Sequence, residues 1–514
     1  MEKPSHFIIV GGGTAGWLAA FILQDTATRQ KLNARFSVVE ILENSYCWRR
    51  RVYHRRLPHF PQAFQGSMSS PSCAKRGPRS RLGIRHQDWR RKGHSYFGPI
   101  DDPHQVVAAP EGSPSDYLNV FSVAAGRPVQ DTHLFEHLLR ANKAPYAPKP
   151  DGSLIALGPF HYAYQFDQAL VGQYLKRQAK GIEMADAIVT EISRNPETGD
   201  IVSLELDNGQ SLEGDFFIDA TGFRKRLILK EMQAQWIGFG DALPVNRALP
   251  FWLPIPKDEA IPNHTLAWAQ NNGWMWKIPT QDRYGCGYVF SDDFISADDA
   301  KAEIEASLGH EIEVRRDIKI DAGRLENVWI GNCLAVGLSS SFLEPLESTS
   351  IHGTIVQMML FAQHFLRAPD AMTQAHRTDY NTRIARQVDD FRTFVNLHYV
   401  TERDDTPFWR DVAANRIHDE TRQRLEHWKR AMPRHEHFAP FLGGLPHVES
   451  QLHYPVLDGL GLLDQNLARQ EMANVPKLRN FARQTVDSLT REYRAAANAA
   501  LPHSAFYDLI DTTN

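Results

Sequence analysis

The feature that most constrains this chain is a glycine-rich turn close to its start. His6–Val10 is a short apolar run, Gly11-Gly12-Gly13-Thr14-Ala15-Gly16 follows, and Trp17-Leu18-Ala19-Ala20 opens a helical stretch. A second apolar run, Phe36–Val39, ends at Glu40. Strand, turn, helix, strand and acid in this order predict a β-α-β nucleotide-binding unit. Gly11 permits the tight turn, Gly13 lets backbone approach a pyrophosphate, and Gly16 lets helix and strand pack closely. The helix start at Thr14 and Ala15 offers N–H groups and a positive dipole end to the phosphates. Glu40 is placed to bind ribose hydroxyls. A bare glycine pattern also occurs in plain turns, and it does not choose FAD over NAD. Asp219-Ala220-Thr221-Gly222 ends another apolar run, 215–220. Alone it reads as a strand and turn. Paired with the N-terminal fingerprint it favours FAD, and it resembles FAD-dependent oxidoreductases of the glutathione-reductase type.

The rest of the chain fits a large α/β protein. Asn327–Val336 reads as a third strand ending at Gly337, a further cofactor contact. Ile201–Leu206 alternates in polarity and suggests antiparallel sheet, and from Ile351 onward the pattern is helical. The expected fold is therefore α/β, an FAD-binding Rossmann-like unit with mixed sheets and a helical C-terminal region. Residues 1–365 would carry the cofactor and 366–514 would cover the substrate. The net charge of -4 argues against general nucleic-acid binding. Four cysteines without CxxC spacing argue against a disulfide framework or zinc site and suit a reducing cytosol. No apolar run reaches membrane-span length, and the first residues lead into a strand without a signal-peptide pattern. A cytoplasmic enzyme, off the membrane and without a metal, is expected.

Two motifs point to the chemistry. Gly273-Trp274-Met275-Trp276-Lys277-Ile278-Pro279 puts both indoles on one face of a strand, which in general means core packing. Its pattern, WxWxIP, resembles the signature of flavin-dependent halogenases, the tryptophan halogenase family. The nearby Gly285-Cys286-Gly287-Tyr288-Val289-Phe290-Ser291 is similar to that family too. The second motif is Gly337-Leu338-Ser339-Ser340-Ser341-Phe342-Leu343-Glu344-Pro345-Leu346-Glu347-Ser348-Thr349-Ser350, a polar turn entering a helix, whose start could hold an anion. Taken alone, Glu347 and Ser348 read as helix capping. Leu82-Gly83-Ile84, Asp88-Trp89, His94-Ser95-Tyr96-Phe97, His398-Tyr399 and Asp404–Trp409 extend the resemblance over most of the chain.

The resemblance implies a scheme. A separate NAD(P)H-dependent flavin reductase supplies FADH2, and O2 and a halide (chloride or bromide) yield hypohalous acid. Backbone near Ser348, Thr349 and Ser350 holds the halide. Trp274, Trp276, Ile278 and Pro279 wall the flavin off from a small aromatic substrate, such as an indole or tryptophan. Glu347 aims the halogenating species, with a lysine that captures it. Family members often carry glycine where this chain has Ser350. A homodimer is compatible with this scheme. The rival readings are an FAD-dependent aromatic monooxygenase, which predicts neither motif, and a flavin-binding pseudoenzyme.

The last rival arises because two family elements are absent: a GxGEST-like flavin loop and the lysine, whose position falls on Arg81. A guanidinium is always charged and cannot act as a neutral amine. Both absences lie in an odd basic stretch, Ile41–Gln87, where Glu43 is the sole acid. Codons for residues 45–54 read one nucleotide later permit a Gly-Val-Gly-Glu-Ser-Thr loop. Codons for residues 67–81 read one nucleotide earlier permit Ala-Thr-Phe-Lys leading into Leu82. A frameshifted reading of residues 41–81 explains both absences.

Overall fold

The computed structural model describes residues 5–40, 79–100, 116–158, 163–165, 168–280, 283–366, 373–438, 448 and 450–512. The basic stretch at 41–78 lies outside the described residues. Two sheets organise the molecule. The first has six strands in the order Trp329–Ile330, Cys333–Ala335, Phe216–Asp219, His6–Val10, Arg35–Glu40 and Glu183–Asp186. All neighbours are parallel except the edge pair Trp329–Ile330 and Cys333–Ala335. Its central strand, His6–Val10, is buried at every residue, as a strand covered on both faces must be. The helix Thr14–Arg29 covers one face and buries Trp17, Leu18, Ile22 and Leu23.

The single strand expected over 327–336 is instead a tight hairpin. Gly331 takes a left-handed φ of 54° between its two arms, and the Trp329 indole N–H donates to the Gly331 carbonyl at 2.9 Å. The Gly331-Asn332 pair at its centre is a turn signal, outweighed in the sequence reading by the apolar residues on either side. The helices also begin two or three residues earlier than the pattern suggested, at Thr14 and Thr349.

The second sheet has seven strands, ordered Ile318–Lys319, Arg247–Pro254, Arg283–Phe290, Gly273–Pro279, His264–Ala269, Gly83–Gln87 and Ser95–Pro99. It is antiparallel except where Gly83–Gln87 runs parallel to His264–Ala269. Mixed sheets and a helical C-terminal region are thus present as expected. The late helices share cores with earlier segments: Val486 packs with Val120 and Phe121, and Ala497 packs with Leu82 and Leu138. No described helix is long and apolar enough to cross a membrane.

One carboxylate ties the first sheet to the loops above it. Asp219 is fully buried. Its Oδ1 accepts from the Thr221 amide (2.9 Å), the Thr221 hydroxyl (2.7 Å) and the Ser339 hydroxyl (3.1 Å). Its Oδ2 accepts from the amides of Leu227 and Ile228, each at 2.8 Å. Hydrogen bonds to an ionised acceptor contribute more than neutral ones. Asp219→Asn turns an amide NH2 toward donors and is expected to cost about 1–3 kcal/mol, read as a lower urea midpoint.

Candidate active site

The nucleotide turn is built by close approach. A Cβ on Gly16 would sit 1.9 Å from the Gly11 carbonyl oxygen, and one on Gly11 (φ 116°) would sit 2.3 Å from that of Ala220. Neither position tolerates a side chain. Gly13 differs: nothing lies within 4 Å of its would-be Cβ. It faces open space at the start of the helix, whose N-cap makes no side-chain hydrogen bond. An open glycine beside uncapped amides fits a dinucleotide pyrophosphate. Glu40 ends the next strand beside Gly12, where its Oε2 accepts from the Trp17 indole at 3.3 Å and its Oε1 pairs with Lys176. Thr221 and Gly222 (φ 69°) sit across the turn on the Asp219 carboxylate. Gly337 (φ 61°) packs against the same helix, since a Cβ there would meet the Ala15 Cβ at 2.6 Å.

From Gly337 the chain runs through the second motif into the helix Thr349–Phe361. Ser348 occupies its N-cap with φ 58° and ψ 34° and makes no side-chain cap. A serine in the left-handed region costs about 1–3 kcal/mol, and such strain clusters at functional sites. The capping reading therefore fails for the Ser348 side chain. A pocket lies against this turn, lined by Gly337, Ser340, Leu343, Thr349, Ser350 and Gln387.

Glu347 precedes that turn and is buried, with 7% of its surface exposed. Its Oε1 stands 3.0 Å from His398 Nε2 and 3.8 Å from His86 Nε2. Both imidazoles are wholly buried. They are stacked on each other at 4.6 Å, and His86 is also stacked on Tyr96 at 4.8 Å. The Tyr96 hydroxyl lies 3.2 Å from His398 Nδ1. Burial, with the Glu347 charge adding to it, pushes the Tyr96 phenol well above its usual range. Glu347, His86 and His398 are the group of metal-type side chains found among the described residues. Their ligand atoms all lie within 4.8 Å of one another, so the three side chains converge on one point.

The paired indoles adjoin this cluster. Trp274, Trp276 and Ile278 point into one core, together with Phe342, Leu343 and Leu346 of the second motif. Met275 points into another core on the opposite face. The indole centroids are 6.3 Å apart, and Trp274 is 6.0 Å from Trp89. Across the sheet, Trp276 pairs with Gly287, where a Cβ would meet the indole at 2.1 Å. The two sequence motifs thus meet as one contact. Pro279, also buried, ends the strand opposite Tyr284. Arg81 is fully buried on the short strand Arg79–Arg81, which pairs with Ala163–Gln165.

Sequence reasoning missed His86 and Glu344 as site groups. A signal for His86 existed: in Gly83–Gln87 it shares the buried face of Ile84. Glu344 is fully buried against Trp274, and its two oxygens accept from the Tyr399 hydroxyl at 2.9 and 2.7 Å. Burial pushes its carboxyl up to about 8, against the opposing pull of the Tyr399 and Trp274 donors. The native state thus favours protonated Glu344, and that stability is lost as pH rises from the unfolded carboxyl range through about 8. Glu344→Gln is expected to flatten this decline, seen in urea midpoints measured from pH 5 to 9.

The chain is similar throughout to proteins of known activity. Residues 6–453 match the family model described as tryptophan halogenase. The tryptophan 6-halogenase SttH of Streptomyces toxytricini is 30% identical, covering 96% of this chain and 98% of that protein. The tryptophan 7-halogenase RebH of Lentzea aerocolonigenes is 28% identical, covering 90% of each. A solved flavin-dependent halogenase from Xanthomonas campestris superposes with a TM-score of 0.82 at 26% identity, covering 99% of this chain and 98% of that one. The tryptophan C-6 flavin-dependent halogenase of taromycin biosynthesis gives 0.84 at 26% identity, covering 99% and 100%. With this fold and these motifs in place, the chain belongs to the tryptophan halogenase family of flavin-dependent enzymes.

Proposed function

We propose that this enzyme uses FADH2, O2 and chloride or bromide to halogenate an electron-rich aromatic ring, of the indole or tryptophan kind. The observation that carries this reading is the buried Glu347, held by imidazole and set one residue before the strained Ser348 turn. Bound as FADH2, the flavin supplies, with O2, the oxidising equivalents that convert halide to hypohalous acid. Gly11, Gly13, Thr14, Ala15 and Gly16 bind its pyrophosphate, Glu40 its ribose, and Thr221, Gly222 and Gly337 line its path. In taking the ribose, Glu40 exchanges part of its pairing with Lys176.

Ser348, Thr349 and Ser350 hold the halide through backbone amides at the helix start, where the dipole favours an anion. Trp274, Trp276, Ile278 and Pro279 keep the aromatic substrate from the flavin, so that only a small oxidised halogen species crosses. Glu347 directs that species at the ring. A separate flavin reductase in the cytoplasm delivers the reduced cofactor. Curated relatives named as tryptophan halogenases support a tryptophan-like substrate.

The test is incubation with FAD, a flavin reductase, NADH and bromide against indole and tryptophan, read by mass spectrometry. A brominated product that needs bromide is expected. An oxygenated product formed without halide would establish a monooxygenase instead. Glu347→Gln is expected to lower product formation roughly 10²- to 10⁴-fold while FAD binding persists. Arg81→Lys restores an amine that can lose its proton. It is expected to raise turnover, and a fall would show that the guanidinium itself is used.

A further inference from the structure

Resting on the halogenase reading, we propose that Tyr96, His398 and Glu347 form a proton relay serving halogen transfer first as acid and then as base. His398 acts through Glu347 and is a positioning residue that also stores the proton.

The geometry brings two proton-transfer groups together. His398 Nε2 and Glu347 Oε1 stand 3.0 Å apart, within proton-transfer reach, although Nε2 makes no aligned hydrogen bond in this conformation. On the other side of the ring, Nδ1 is 3.2 Å from the Tyr96 hydroxyl. That phenol stays neutral, so it can donate to Nδ1 or accept from it. The Tyr96 hydroxyl, Nδ1, Nε2 and Oε1 thus lie in line through one imidazole, and a small turn of the carboxylate on substrate binding aligns the last link. Every member is buried, which keeps bulk water from short-circuiting the transfer. The titratable groups facing His398 are Glu347, His86 and Tyr96, and Phe394 and Trp89 close the remaining sides. His86 stacks on His398 and stands 3.8 Å from the same carboxylate oxygen, so a positive charge on one ring opposes a second on the other.

Halogen transfer needs such a group twice. The ring carbon attacks the halogen of hypohalous acid, the carbon–halogen bond forms, and the oxygen–halogen bond breaks with its electron pair going to oxygen. The stored proton passes through the Glu347 carboxyl to that oxygen and makes water. The ring C–H bond then breaks, its electrons return to the ring, and the proton goes to Glu347 Oε1 and on to His398 Nε2. The cluster ends as it began. The guanidinium of Arg81 cannot take this part, because it does not give up a proton near neutral pH.

His398→Gln tests the relay, since its amide N–H can still donate to Glu347 but cannot pass a proton through. The probes are indole and indole deuterated at the reacting carbon, with bromide and the reductase system. Taurine trapping reads hypobromous acid independently of the aromatic product. The expected result is wild-type taurine bromamine, bromoindole lowered about 10²-fold, and a deuterium isotope effect on bromoindole larger than in the wild type. Wild-type bromoindole rates with no change in isotope effect would overturn the relay. If His398→Gln fails to bind FAD, Tyr96→Phe carries the same test, and an unchanged isotope effect there overturns it. A wild-type enzyme that makes no bromide-dependent product and traps no hypobromous acid removes the halogenase reading and the relay with it. Trapped acid with unaltered bromoindole in the variant removes the relay alone.

Discussion

The Asp219 carboxylate is the interaction on which the rest of the structure leans. It is fully buried at the end of a central strand, and it holds the Thr221 turn, the amides of Leu227 and Ile228, and the Ser339 hydroxyl. Those partners come from segments more than a hundred residues apart in sequence. Fixing Ser339 fixes the loop that runs from Gly337 to Glu347 and Ser348. A buried carboxylate that satisfies so many donors is costly to disturb, because each orphaned amide bears its own desolvation penalty. The Thr221 turn and the loop leading to Ser348 are therefore tied to one group.

The second requirement is a dry compartment that still holds charge. Trp89, Trp274, Trp409 and Tyr399 form a wall of edge-on and tilted rings. Glu344 and Glu347 both lie within this wall, three residues apart on one loop, yet the structure treats them differently. Glu344 meets only the Tyr399 hydroxyl and the Trp274 indole, and burial drives it toward its neutral form. Glu347 meets two imidazoles, which can supply a compensating positive charge. Two carboxyl groups with different surroundings suit different tasks, one as a neutral structural donor and acceptor, the other as a proton-transfer group.

Glycine serves this architecture by permitting contact. Gly16 lets the first helix reach the first strand, and Gly287 lets the Trp276 indole lie flat on the neighbouring strand. The indole pair is thus locked by the backbone opposite it as well as by its own packing. Conversely, Ser348 holds a left-handed conformation where glycine would be free of strain. It stands between the Glu347 cluster and the pocket at Thr349 and Ser350.

The sequence by itself determined the nucleotide-binding unit, the flavin preference, the paired indoles on one strand face and the family. These are local signals: glycine spacing, strand alternation and short motifs are written in neighbouring residues, and the periods of strand and helix translate them directly into geometry. The hairpin at Gly331 escaped although its Gly331-Asn332 turn is written in the sequence, because arms of two and three residues are too short to show a period of their own. Tertiary structure alone decided that His86, Tyr96 and His398 close around Glu347, and that Glu344 is shut away with Tyr399. Those residues come from three separate stretches of the chain: two neighbouring strands, one loop and the end of a helix. Whether an imidazole faces solvent or a carboxylate depends on how the elements pack, which no local pattern of residues encodes.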